Sequence, residues 1–212
     1  MTHPKRLLVF GATGGTGRHL VAQALAAGHT VTAFVRDAGR LEPHPRLRIA
    51  LGDAVTQPEE VAAAVPGHDV VLCSIGAPAL KAAGTRARAT ANIVAAMQAA
   101  GVRRLVIQST FGVGETWAHL PMIMRYAVVP LYLARTFADH EAQERIVRAS
   151  GLDWTIARPP HLHDGARTAT RVGFAPDDRS VRMNIARADV AAFLLSQVDD
   201  DRWLHQAPAI AS

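Results

Sequence analysis

Seven residues near the start of the chain, Gly11-Ala12-Thr13-Gly14-Gly15-Thr16-Gly17, constrain its fold more than any other segment. They follow the apolar run Arg6-Leu7-Leu8-Val9-Phe10. They precede a stretch with apolar residues at Leu20, Val21, Ala24 and Leu25 that stops at Gly28. A strand, a glycine-rich turn and a helix in direct succession aim the first-turn amides of the helix at one point. The glycines keep side chains out of that point. Amides gathered there attract a phosphate, and the strand-turn-helix setting is what gives a glycine pattern its weight. The spacing is G-x-x-G-x-x-G rather than G-x-G-x-x-G, and Thr13 and Thr16 add hydroxyl donors. The segment is expected to hold the pyrophosphate of a dinucleotide, with Gly11, Thr13, Gly14, Gly15 and Thr16 as contacts.

The rest of the chain repeats the alternation. Apolar and β-branched runs predict strands over 6–10, 30–35, 47–51, 69–74, 103–108 and 154–158. Helical patterns with glycine or proline boundaries fall at 16–27, 58–64, 87–100 and 137–150. Such alternation implies parallel βαβ units and a doubly wound, mostly parallel Rossmann-type α/β sheet. No linker divides the 212 residues, so one domain is expected over 1–212. Its acceptor side is expected from about 109–135 and 159–185. The single cysteine, Cys73, lies in a continuously apolar strand and is read as a buried hydrophobe.

Composition excludes several classes. Hydrophobic residues make up 49% and charged residues 19%, the balance of a globular chain. No run of about 18 apolar residues exists, and no secretory leader is expected before the first strand. No membrane partner is expected, and the cytoplasm is the expected location. The net charge is +5, but the arginines are scattered rather than gathered in a block. That argues against nucleic acid and leaves part of the excess to serve an anionic cofactor. His161 and His163 with Asp164 form no convergent ligand set, so no metal is expected.

The end of the second strand decides between cofactors. An acidic residue there would bind the ribose 2′-hydroxyl of NAD. This chain has Arg36, 19 residues after Gly17, and Arg40 one helical turn later. A guanidinium suits a 2′-phosphate, so NADP(H) is the expected cofactor. Asp37 would suit NAD, but strand alternation turns it elsewhere. Asp53 and Ala54, after the third strand, fall at the adenine. There Asp53 either accepts from the adenine amino group or caps its own loop. Ser74, Ile75 and Gly76 end the fourth strand beneath the cofactor, where Gly76 permits close approach to the ribose.

One expected chemistry is missing. Carbonyl reduction in short-chain dehydrogenases uses a Tyr-x-x-x-Lys pair. Tyr126 is followed four positions on by Pro130, and Tyr132 by Thr136. The two lysines, Lys5 and Lys81, are placed for no such role.

Four segments together resemble the atypical short-chain dehydrogenases with an NmrA-like NAD(P)H-binding fold. They are Gly11 to Gly17; Val35-Arg36-Asp37 with Arg40-Leu41; Asn92-Ile93-Val94-Ala95-Ala96-Met97; and Ser150-Gly151-Leu152 continuing to Arg158-Pro159-Pro160-His161. Within that group the chain is most similar to the flavin reductases, also called biliverdin IX-beta reductases. The Pro-Pro-His turn and Asp139-His140, taken as a helix start, carry that likeness. The resemblance implies hydride transfer from NADPH to a flat conjugated acceptor: a flavin such as FMN, biliverdin or a quinone. Such acceptors need little acid/base help, which suits the missing Tyr-x-x-x-Lys.

The resemblance also assigns roles. Thr110 falls at the serine beside the nicotinamide, with Ser109 before it and Pro159 near the cofactor. His161 falls on the active-site histidine, where it contacts the acceptor or relays a proton. Phe111, Trp117 and Met122 are candidates for an apolar or stacking wall against the acceptor, or for ordinary lid packing. A monomer or homodimer is expected. A second function stays open: a non-catalytic, NmrA-like regulator that senses NADP(H). Isomerase- or dehydratase-like use of the fold also stays open.

Overall fold

A computed structural model describes residues 3–76, 84–174 and 181–212. The expected element at 159–185 therefore includes 175–180, which lie outside the described residues, as do Lys81, Met1 and Thr2.

The N-terminal half follows the strand-helix alternation. It runs β1 (Arg6–Phe10), α1 (Gly15–Ala26), β2 (Thr30–Val35), β3 (Leu47–Leu51), α2 (Pro58–Ala64), β4 (Val70–Cys73), α3 (Thr85–Ala100) and β5 (Arg104–Gln108). After β5 come a 3-10 turn (Gly114–His119) and a wide π-type helical segment (Met124–Leu133), then α4 (Ala134–Ala149) and β6 (Asp153–Ala157). The last part contains β7 (His161–His163), β8 (Arg171–Val172), β9 (Asn184–Ala186), α5 (Arg187–Ser196) and β10 (Ile210–Ala211).

Six strands form one sheet in the order β3-β2-β1-β4-β5-β6, every pair parallel. The chain winds outward from β1 to β3, then returns to the other side of β1 to lay down β4. Connections leave β1 and β4 in opposite directions, which opens a crevice beyond their C-terminal ends. Alternation along each strand splits the core in two. Leu7, Val9, Val31, Ala33 and Leu72 face α1 and α5. Leu8, Phe10, Phe34, Val71 and Cys73 face α2, α3 and α4. Burial raises the Cys73 thiol to about 11, so it stays protonated and inert. No helix among the described residues is long and apolar enough to cross a membrane.

Two features depart from the pattern-based reading. First, α4 begins at Ala134, so Asp139 and His140 lie inside it rather than at its start. The segment before it is already helical but widened around Pro130, which has no N–H to give to the ladder. Asp139 still works as a cap, for a different helix. Gly84 precedes α3 with φ +72° and offers no side chain. Asp139 fills that role across the interface: Oδ2 accepts from the Arg86 amide (3.0 Å) and Oδ1 from the Ala87 amide (3.0 Å). Second, α5 was not anticipated. Its sequence, Arg-Ala-Asp-Val-Ala-Ala-Phe-Leu-Leu-Ser, is apolar on most sides because it is buried against α1, and it lacks an amphipathic period.

A buried arginine ties the last part of the sheet to the segment above it. Arg158, just past β6, has 0% exposure. Its Nε and Nη2 donate to Glu144 of α4 at 2.9 and 2.6 Å. Its Nη1 lies 2.8 Å from Glu115 in the 3-10 turn. Glu144→Ala removes the buried carboxylate and leaves the guanidinium in low dielectric with one exposed partner. We expect a loss of about 3 kcal/mol in urea unfolding; a change below about 1 kcal/mol would show the pair to be energetically idle.

Candidate active site

The crevice between β1 and β4 is built on backbone contact. Gly11 has φ +77°, and a Cβ there would sit 2.7 Å from the Ser74 carbonyl group and 2.8 Å from the Ile75 nitrogen. A Cβ on Gly17 would come within 2.0 Å of the Gly11 oxygen. Only glycine fits at either place. The Gly14 amide donates to the Gly11 oxygen at 2.9 Å, which closes the turn and starts α1. No side chain caps α1, and its first turn holds no acidic residue. Its N-terminal amides therefore face the crevice with their partial positive charge uncompensated. Ser74, 8% exposed, has a hydroxyl with no hydrogen-bond partner among the described residues. A glycine cradle, a free helix N-terminus and an orphaned buried hydroxyl together suit a dinucleotide pyrophosphate.

From there a cleft of about 350 Å³ runs across β2 and β3. Its lining brings together the candidates Gly11, Thr13, Gly14, Arg36, Arg40, Asp53, Ala54, Ile75 and Gly76. Gly15 and Thr16 stand at the start of α1. Arg36 is free to reach a ligand: its side chain is 81% exposed and its Nη1 lies 4.0 Å from Asp53 Oδ2. Asp37 turns back on its own loop, its Oδ1 accepting from the Gly39 amide at 3.0 Å.

Asp53 takes at least the second of its two expected roles, the loop cap. Its Oδ1 accepts from the amides of Val55 (2.8 Å) and Thr56 (3.3 Å). It is the cap of its own loop first, and only Oδ2 is left to face the cleft. The same loop is held by a residue given no role at first. Asn92 of α3 donates from Nδ2 to the carbonyls of Ala54 (2.9 Å) and Val55 (3.3 Å). Nothing in the local sequence marks that bond, because it joins positions 38 residues apart.

The remaining candidate residues lie beyond β5 and β6. The Ser109 amide donates to the Ala157 carbonyl (2.8 Å) and the Phe111 amide to the Pro159 carbonyl (2.8 Å). Thr110 sits between these two rungs, half-buried, with His161 two residues past Pro159 at the exposed start of β7. Thr110 thus follows the end of β5, and His161 comes four residues after the end of its neighbour β6. Thr110 Oγ1 donates to the Phe111 carbonyl at 3.4 Å. Ser109 is buried, with Oγ 3.5 Å from Nδ1 of His140. Burial, aided by the charge of Arg86, lowers the His140 pKa to about 3. It is a neutral hydrogen-bonding ring, not a proton carrier.

Phe111, Trp117 and Met122 do not form one wall. Phe111 is 4% exposed. Trp117 meets Phe137 edge-on at 6.1 Å and packs with Val113 and Val129. Met122 is 74% exposed. The 3-10 turn rotates the indole into the segment's own small core, so lid packing, the second of the two readings, describes Trp117.

Comparison with known proteins agrees with this geometry. A family model described as NAD(P)H-binding matches residues 11–201, and the chain belongs to that family. It is 30% identical to an uncharacterized sugar epimerase of Bacillus subtilis, over 95% of this chain and 92% of that one. Among solved structures it is similar to a short-chain dehydrogenase/reductase of Veillonella parvula in complex with NADP. That match has a TM-score of 0.83 and 18% identity, covering 99% of this chain and 95% of that chain. It is also similar to an anaerobilin reductase of Escherichia coli O157:H7, with a TM-score of 0.76 and 23% identity, covering 97% and 96%. At these identities the two structures establish the shared fold.

Two predictions follow from the residues above. Arg36→Glu places a carboxylate where a 2′-phosphate would lie, and should lower NADP+ affinity relative to NAD+ by about tenfold or more in calorimetric titration. An unchanged ratio would remove the 2′-phosphate contact from the site. For His140, the folded state stays neutral down to about pH 3, whereas the unfolded ring protonates near its ordinary value of 6.5. Its contribution to stability is complete above pH 6.5. As pH falls from there towards 3 it is lost, by at most about 1.4 kcal/mol per pH unit. His140→Gln should flatten the pH dependence of urea unfolding across that window, and an equally steep dependence in the variant would refute the assignment.

Proposed function

We propose that this protein is an NADPH-dependent oxidoreductase that delivers hydride to a flat conjugated acceptor, a flavin such as FMN first, with linear tetrapyrroles and quinones as related candidates. The observation that carries the reading is the cleft beside the glycine turn, with Arg36 and Arg40 in its lining. Beyond β5 and β6 of the same sheet the chain offers Thr110 and His161, and the sequence has no Tyr-x-x-x-Lys pair. NADPH, when bound, supplies the hydride. The amides of α1 and the Ser74 hydroxyl hold its phosphates, and Arg36 and Arg40 select the 2′-phosphate. Thr110 presents a hydroxyl beside the reacting ring. His161, exposed at the mouth, orients the acceptor or passes it a proton from water. The names of the anaerobilin reductase and of the NADP-bound dehydrogenase support this reading by likeness of fold.

A sugar epimerase, the name borne by the Bacillus relative, would have to take up a carbinol proton as hydride leaves. The missing tyrosine–lysine pair argues against that chemistry. A non-catalytic regulator is the second reading. It draws support from Met122, Ile123, Tyr126, Leu131 and Tyr132, each at least 68% exposed, a surface of the kind protein partners cover.

The test is NADPH oxidation at the nicotinamide absorbance with FMN, biliverdin and quinones. Turnover above the free-solution rate is expected, with His161→Ala reducing kcat/KM about tenfold or more. NADP(H) binding with no turnover on any acceptor would overturn the enzyme and favour the regulator.

A further inference from the structure

Arg187 opens α5, and its side chain reaches the N-terminus of α1. A Cβ on Gly15 would meet Arg187 Cδ at 2.6 Å, Nε at 2.8 Å and the guanidinium carbon at 3.7 Å. Gly15 is the first residue of α1. A full positive charge therefore lies against the positive end of a helix dipole, an arrangement that is unfavourable until an anion joins it. The first turn of α1 supplies no anion. The carboxylate that Arg187 does meet is Asp164, whose Oδ1 lies 2.9 Å from Nη1 but whose side chain is 78% exposed. A pair so open to water holds only weakly.

The same amides form the phosphate seat described above. A phosphate resting on them comes within reach of the guanidinium, which then gains a charge-assisted contact in place of a repulsion. Asp164 sits in the segment after β7, on the acceptor side. That segment has a second, firmer tie to α5: the buried Asp189 accepts from the Thr168 amide at 2.8 Å and from Arg167 Nε at 3.1 Å. Arg187 can therefore leave Asp164 without freeing the segment.

We propose that Arg187 is a pyrophosphate-binding residue that exchanges Asp164 for the phosphates of the bound dinucleotide, so that Asp164 competes with the cofactor for one guanidinium. The inference rests on dinucleotide binding at this crevice and is independent of which acceptor is reduced.

The experiment titrates the full chain with NADP+ and, separately, with 2′-AMP, which carries the 2′-phosphate but no pyrophosphate. Arg187→Ala should weaken NADP+ about tenfold and leave 2′-AMP unchanged. Arg187→Lys should recover part of the loss, as a point charge without the planar fork. Asp164→Asn, at an exposed position, should tighten NADP+ severalfold, and that gain should vanish when combined with Arg187→Ala. Unchanged NADP+ affinity in Arg187→Ala, an equal loss for both ligands, or weaker NADP+ binding in Asp164→Asn would each overturn the proposal. A wild-type chain that binds no NADP+ would overturn it together with the dinucleotide reading. Tight NADP+ binding without hydride transfer would leave it standing and remove only the reductase.

Discussion

The contact between Gly11 and the Ser74 carbonyl group is the constraint on which the site depends. It forms where β1 and β4 end side by side, at the place where the winding of the sheet reverses. Any side chain at Gly11 would push the turn off β4, and α1 would then start from a different place. The helix amides, the orphaned Ser74 hydroxyl and the mouth of the adenosine cleft all take their positions from that one approach. Gly17 makes a second such approach, to the Gly11 oxygen, and fixes the pitch of α1 above the turn. The cofactor seat is therefore mostly backbone, and its geometry is rigid because no rotamer can relax it.

The β5–β6 side of the sheet is held by different physics. Helix α4 buries Asp139, His140, Gln143 and Glu144, a polar face in a place where apolar residues would be the easier choice. Each has a use. Asp139 caps α3, and Glu144 holds Arg158. Gln143 reaches Thr90, and His140 meets Ser109. Directional bonds of this kind set the register of α4 against the sheet, as apolar packing alone would not. That register places the end of β5, and with it Thr110. Arg158 extends the network through Glu115 to the 3-10 turn, so the segment after β5 is anchored by charge at its base.

Legibility differed between these two halves for a physical reason. Strands β1 to β6 and helices α1 to α4 were readable because each carries a local period and a glycine or proline boundary. Four of them, β1, β2, β3 and α2, fall on the predicted residues. Helix α5 was not readable, because burial on most sides removes the polar face that makes a helix visible. Asp53 was placed in the loop after β3, and that it caps this loop depends on where the Val55 and Thr56 amides point. Trp117 was read as an acceptor wall or as lid packing, and only the turn of 3-10 helix decides for packing against Phe137.

The sequence by itself determined the doubly wound sheet, the phosphate turn and the two arginines at the end of β2, because all three follow from short stretches with local geometry. It also excluded the tyrosine–lysine pair, since a missing residue needs no structure to be missed. Only the tertiary structure decided what comes together from far apart. Asn92 steadies the loop after β3 from α3, Asp139 caps a helix on another element, and Arg187 lies over Gly15 from the last part of the chain. Each is a long-range meeting of a charge or dipole with a backbone group. No local pattern encodes such a meeting, because its two halves share nothing in sequence but are joined by the packing of the sheet.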